Sequence, residues 1–268
     1  MAGHERRTLR AGWQELYRWW QSRRGAVPDA LWTQIVRTSA YAQALPADER
    51  RQLREIVTRF LATKSLEGAA GVTVSEVMCA RIALHACLPV MHLGLDYYSD
   101  WVSIVIYPGD FRVHEEYMDE HGVVHRGKLD LCGQSLARGP MVLSWEAMQE
   151  EDRAPADRDL VIHECAHKLD VLNGNANGFP PLHAGMNPRE WSQDFQAAYD
   201  RLRDTLDTAQ PSRIDPYAAE NPAEFFAVTS EAFFTAPHRV RDEFPAVYAQ
   251  LQRFYRQDPY GLLQRKQP

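Results

Sequence analysis

The stretch Val161-Ile162-His163-Glu164-Cys165-Ala166-His167 decides how this chain is read. Residues four apart on an α-helix lie one above the other, so His163 and His167 can aim two imidazoles at one ion. Glu164 sits about 100° round the helix from His163. From there it is poorly placed to ligate the same ion but well placed to take a proton from a water that the ion activates. The pattern is that of zinc hydrolases, in which the metal lowers the pKa of a water to about 7 and a glutamate acts as general base. Leu160, Val161, Ile162, Ala166 and Leu169 make the segment largely apolar, as in a buried helix, and two histidines and a glutamate are costly to bury there without partners. Pro155 and Asp157 stand upstream as start signals, with Asp157 the expected N-cap, and Asn173-Gly174 offers a stop.

A catalytic zinc wants three protein ligands and one open position. The position three residues after His167 is Asp170, and three further on is Asn173, so a third histidine does not follow at the spacing of one familiar variant. Glu224 is the better candidate. Asn221 is a good N-cap and Pro222 a good first residue for a helix running to about Thr235. Asn221-Pro-Ala-Glu224 is also the spacing of a capping box, in which the glutamate only reaches back to its own N-cap amide. Spacing leaves both readings open. Glu231, two turns on, is either a group that orients a ligand or the ligand itself. Asp170 has the position to orient a ligand histidine. Tyr217 lies in the loop ahead of Glu224, where a phenol either stabilises an oxyanion or simply packs.

The rest of the chain reads as mixed helix and strand. Its 268 residues are 45% hydrophobic and 25% charged, ordinary for a globular protein. The net charge of −6 gives no global support for nucleic-acid binding. Leu9, Trp13, Leu16 and Trp20 predict an amphipathic helix over about 8–22, with a basic outer side. Further helices are expected from Pro28-Asp29, from Pro46-Asp48, over about 73–92, 188–208 and 242–256, with a break at Gly68-Ala-Ala-Gly71. His85 and His92 share a face of the 73–92 helix but have no further ligands nearby in sequence, so they are expected to be structural. Trp101–Tyr107 and Gly139–Trp145 read as strands, and the polar segment 115–127, with His121 and His125, as a solvated hairpin or flap. A strand just before the motif helix is suited to pairing with an extended peptide. Residues 175–188 are expected to be a surface loop. The four cysteines form no Cys-x-x-Cys pair, and Cys165 reads as a packing residue. Met1 to Arg10 lack an apolar segment and no run of 18 apolar residues occurs, so a cytoplasmic protein with no membrane span is expected.

Taken together, Leu160-Val-Ile-His-Glu-x-Ala-His-Lys-Leu-Asp170, Asp215-x-Tyr217-Ala-Ala and Pro222-Ala-Glu224-x-Phe-Ala-Val-x-Ser-Glu231 resemble the Mlc titration factor A family of zinc peptidases. Gly68-Ala-Ala-Gly71, Gly94-Leu-Asp96 and Gly139-Pro-x-Val-Leu-Ser-Trp145 extend the likeness over about residues 60–260. The catalytic core of that family is similar to that of anthrax toxin lethal factor. The resemblance implies zinc on His163, His167 and Glu224, with Glu164 as base and Tyr217 as donor in the transition state. It implies an α+β fold: a mainly helical N-terminal region, residues 1–95, packed on a gluzincin-like catalytic region, 96–268, with a small sheet. The implied activity is aminopeptidase-type hydrolysis of a peptide or protein substrate. Endopeptidase action stays open, because none of Glu115, Glu116, Asp119 or Glu150-Glu151-Asp152 stands out as the group that would hold a free amine. The family also implies binding of a glucose-responsive transcriptional repressor of sugar uptake. The alternative reading is therefore a regulator that sequesters such a repressor, with peptidase activity secondary.

Overall fold

Two largely buried helices run through the centre of the molecule. In the computed structural model, which describes residues 26–109, 113–118, 124–129, 139–153 and 158–265, these are Leu160–Asp170 and Pro222–Thr235. In the second, every residue from Ala223 to Phe234 is buried. A helix that is apolar all round belongs inside a core, and polar groups carried into such a place need partners. The expected helix at 8–22, Asp157, the turn Asp119–Gly122 with His121, and Cys132 lie outside the described residues.

In chain order the helices are α1 (Asp29–Val36), α2 (Ala40–Ala44), α3 (Ala47–Thr63), α4 (Glu76–Val90), α5 (Trp145–Arg153), α6 (Leu160–Asp170), α7 (Pro188–Asp207), α8 (Pro222–Thr235), α9 (Pro237–Glu243), α10 (Pro245–Tyr255) and α11 (Pro259–Gln264). The strands are β1 (Ser65–Gly68), β2 (Ser103–Tyr107), β3 (Val113–Met118), β4 (Val124–Leu129) and β5 (Met141–Ser144). The fold is mostly helical with a small parallel sheet of order β1-β2-β5, in which Val105 pairs with Glu67 on one side and Val142 on the other. β3 and β4 form a separate antiparallel hairpin. One connected set of buried apolar side chains extends from Val27 to Tyr255.

Several elements depart from the sequence reading. β1, Ser-Leu-Glu-Gly, has no β-branched residue, and its pairing with β2 creates it as a strand. The strand expected to run to Trp145 stops at Ser144, whose Oγ accepts from the Ala147 amide, and α5 begins directly. The helix expected over 242–256 is two helices. Phe244, outside helical geometry (φ −130°, ψ 68°), separates them, because the residue before a proline avoids helical geometry and Pro245 suits a first helical position. Pro237 likewise starts α9 as well as ending α8. Among the described residues, no helix is long and apolar enough to cross a membrane.

Candidate metal centre

The N-cap of α6 is Asp159, whose Oδ1 accepts from the Ile162 amide at 3.0 Å. The cap is thus two residues later than the expected Asp157, and it sets the rotation of the helix. Val161, Ile162, Cys165, Ala166 and Leu169 are buried in the core, with Cys165 a packing residue as its sequence position suggests. The same rotation turns His163 and His167 toward α8, where Asn221 caps the helix by accepting from the Glu224 amide at 3.0 Å. Half of the capping box is therefore present. The other half is not: the Glu224 carboxylate lies against the two imidazoles.

Three atoms converge there. His163 Nε2 and His167 Nε2 are 3.2 Å apart, and Glu224 Oε2 is 3.2 Å from the first and 3.3 Å from the second. Donors about 2.0–2.1 Å from a tetrahedral ion lie about 3.3 Å from one another. The triangle fits such an ion. Among the described residues, His163, His167 and Glu224 are the group whose side chains could hold a metal. His85 and His92 are not part of that group.

Charge in the cluster gives the same sense. Burial opposes ionisation of Glu224, yet its hydrogen bonds with His163 and His167 bring its carboxyl down to about 2. Burial also opposes a charged His163, but Glu224 and Glu231 hold its imidazole up to about 10. Burial raises the Glu164 carboxyl, and Glu224 adds to that. Two buried carboxylates beside two imidazoles thus require a cation, whether a proton or a metal, and metal binding at such a set releases protons.

Glu231, whose two roles the sequence left open, touches the outer nitrogen of His163. Its Oε2 is 3.2 Å from His163 Nδ1, and its Oε1 accepts from the Asp159 amide at 2.6 Å. The carboxylate thereby locks the ring that faces Glu224 to the cap of its own helix. Asp170, open in sequence to orienting a histidine or to ending the helix as an ordinary carboxylate, accepts from backbone amides. Its two oxygens accept from the Gly178 and Phe179 amides, each at 2.8 Å, and so pin the 175–188 loop to the end of α6. Gly178 sits at φ +75°, and a Cβ there would lie 2.5 Å from the Pro222 carbonyl oxygen, so the close pass of this loop over the start of α8 needs glycine. Tyr217 sits in a short 3-10 turn, Pro216–Ala219, capped by Asp215, which also pairs with Arg158. Its ring centroid is 6.1 Å from that of His163 and it is partly open to solvent.

Sequence reasoning missed the layer behind the histidines. Asp159 also holds His85 through Nδ1, whose other nitrogen meets Thr38 Oγ1 at 2.8 Å. Nothing in the spacing of residues 38, 85 and 159 signals that contact.

Residues 13–256 match the profile of the glucose-regulated metallo-peptidase M90 family. Mlc titration factor A of Serratia proteamaculans (strain 568) is 41% identical over 227 residues, covering 83% of this chain and 86% of that protein. Mlc titration factor A of Yersinia pestis (strain Pestoides F) is 41% identical over 220 residues, covering 81% of each. With the match spanning most of the chain and the convergent His163, His167 and Glu224 side chains within it, the protein belongs to the glucose-regulated metallo-peptidase M90 family.

Proposed function

We propose that the protein is a zinc-dependent peptidase whose metal is held by His163, His167 and Glu224, with a gluzincin-like arrangement of the site. The observation that carries this reading is the near-equilateral triangle of two imidazole nitrogens and one carboxylate oxygen. Nitrogen and carboxylate donors in a small tetrahedral set suit zinc, and three protein ligands leave a position open for chemistry. When bound, zinc would supply Lewis acidity, making a water more acidic and polarising the scissile carbonyl.

The protein's own groups do the rest. Glu164 takes a proton from the attacking water and delivers it to the leaving amine. Tyr217, beside His163, donates to the oxyanion that develops at the carbonyl. Glu231 fixes the His163 ring so that Nε2, and not Nδ1, presents its lone pair to the site. β5 is an edge of the parallel sheet immediately before α5 and α6, and its backbone is suited to pairing with an extended peptide. Aminopeptidase-type cleavage is the reading from resemblance; the cytoplasmic location expected from the sequence and the division at residue 95 are proposed with it.

Chelation tests the reading directly. Stripping metal is expected to abolish hydrolysis of aminoacyl p-nitroanilides and short peptides, and stoichiometric zinc to restore it. Undiminished turnover in protein verified as metal-free by elemental analysis would overturn the proposal. A graded effect is expected at Glu231. Glu231→Gln keeps shape but loses charge, and zinc affinity or turnover should fall about 10–100-fold, measured by competition with a chromogenic chelator and by steady-state kinetics.

A second reading has its own support. The relatives carry the name Mlc titration factor A, which speaks of titrating Mlc. We therefore also propose that this chain binds a transcriptional repressor of sugar uptake, a role that can coexist with hydrolysis.

A further inference from the structure

Against the α6 cap lies a cavity of about 280 Å³. Its walls come from the α1–α2 turn, α2, α4, α5, the start of α6 and the end of α8. It lies just below the range of about 300–1,000 Å³ typical of ligand pockets, so an occupant has few heavy atoms.

The lining has an unusual concentration of charge for such a volume. Arg37, Arg81 and Arg158 contribute three guanidinium groups against the carboxylates of Glu151 and Asp159. Both carboxylates are already engaged. Asp159 is paired with His85 and caps Ile162, and Glu151 accepts from the Leu160 amide at 2.8 Å. Arg81 is buried and held by its bond to the Met148 carbonyl oxygen at 3.0 Å. Arg37 and Arg158 are exposed; Arg158 also pairs with Asp215, which leaves its remaining N–H groups to meet a ligand. Guanidinium groups match carboxylate and phosphate oxygens in geometry as well as charge. The hydroxyl of Thr38 donates to the Ile35 carbonyl oxygen at 2.7 Å and meets His85, and its oxygen can still accept from an alcohol. Burial, with Asp159 nearby, raises the Glu151 carboxyl to about 7, so near neutrality it can donate to or accept from a hydroxyl.

From this arrangement we infer that the cavity is a binding site for a small hydroxylated anion, one phosphate or carboxylate head group on a short polyol body. The head group meets the exposed arginines, and the hydroxyls reach Thr38 and Glu151. The site is separate from the metal ligands, and its occupancy does not depend on whether the protein hydrolyses peptides. Asp159 belongs to both places: its side chain faces the cavity and its amide holds Glu231, which holds His163.

Three matched probes test it on the purified full-length protein by isothermal titration calorimetry: glycerol 3-phosphate, glycerate and glycerol. Saturable binding of at least one anion, and none of glycerol, is expected. If only one anion binds, it identifies the head group. Arg37→Ala and Arg158→Ala are each expected to weaken that binding about tenfold or more, with melting temperatures close to the parent showing that the fold is intact. Arg81→Lys, which keeps charge but loses the planar fork, should weaken it as well. No saturable binding of either anion up to about 10 mM, glycerol binding equal to the anions, or parental affinity in both surface variants would each overturn the inference.

Discussion

Replacing Glu164 by Gln is expected to lower peptide hydrolysis by about 10²–10⁴-fold, the usual scale for loss of a general base, while zinc content stays near one per chain. The side chain keeps its size and loses only its capacity to take a proton. It adjoins His163 in sequence but is outside the triangle of His163, His167 and Glu224, so the ligand set is intact in the variant. Steady-state kinetics read the first effect and elemental analysis the second. Retained turnover would sink the assignment of Glu164 as base. The same variant separates the two functional readings. If it still binds a repressor of sugar uptake in a pull-down after hydrolysis has gone, titration stands as an independent role. If binding disappears with catalysis while the fold and metal persist, the partner is recognised through the catalytic machinery itself.

Glu224→Ala is expected to have the largest effect on the metal. It removes one corner of the triangle and leaves two imidazoles from adjacent turns of α6, a set that binds zinc only weakly. The consequence extends to stability. A ligand present at about 1,000 times its Kd stabilises the folded state by about 4 kcal/mol. In a domain of this size each kcal/mol moves Tm by about 2–4 °C. Parent protein should therefore melt about 8–16 °C higher with zinc than after chelation, and Glu224→Ala should show little of that gap. Differential scanning calorimetry with and without chelator checks it. A variant that retains full zinc occupancy and the full gap would remove Glu224 from the ligand set. His163→Ala serves as the control for losing a ligand on the other helix.

What was legible beforehand divides along a physical line. His163, Glu164 and His167 could be read as a unit because their arrangement is local: 3.6 residues per turn place the histidines together wherever the helix goes. The N-cap Asn221 and Pro222 were legible for the same reason. The two uses of Glu224 were not separable, because the capping box and the ligand role require the same spacing. They differ only in where a flexible carboxylate points, and the packing of α8 against α6 settles that. Asp170 shows the converse. Its place one turn beyond His167 suggested a partner for a ligand, but the returning loop brought the Gly178 and Phe179 amides to its oxygens first. Strand β1 and helix α5 were missed because a four-residue strand exists only through its neighbour, and a short helix after a strand carries too little periodicity to register.

The sequence alone determined the helical pair of imidazoles, the adjacent carboxylate and the α+β character, since each depends on backbone periods of a few residues. Only the tertiary structure decided that Glu224 meets those imidazoles, that Glu231 ties His163 to Asp159, and that His85, Thr38 and three arginines gather at the cap. Those contacts join residues 47 to 74 positions apart, or more widely separated elements of the chain. They follow from how buried helices pack, a property that no local spacing encodes.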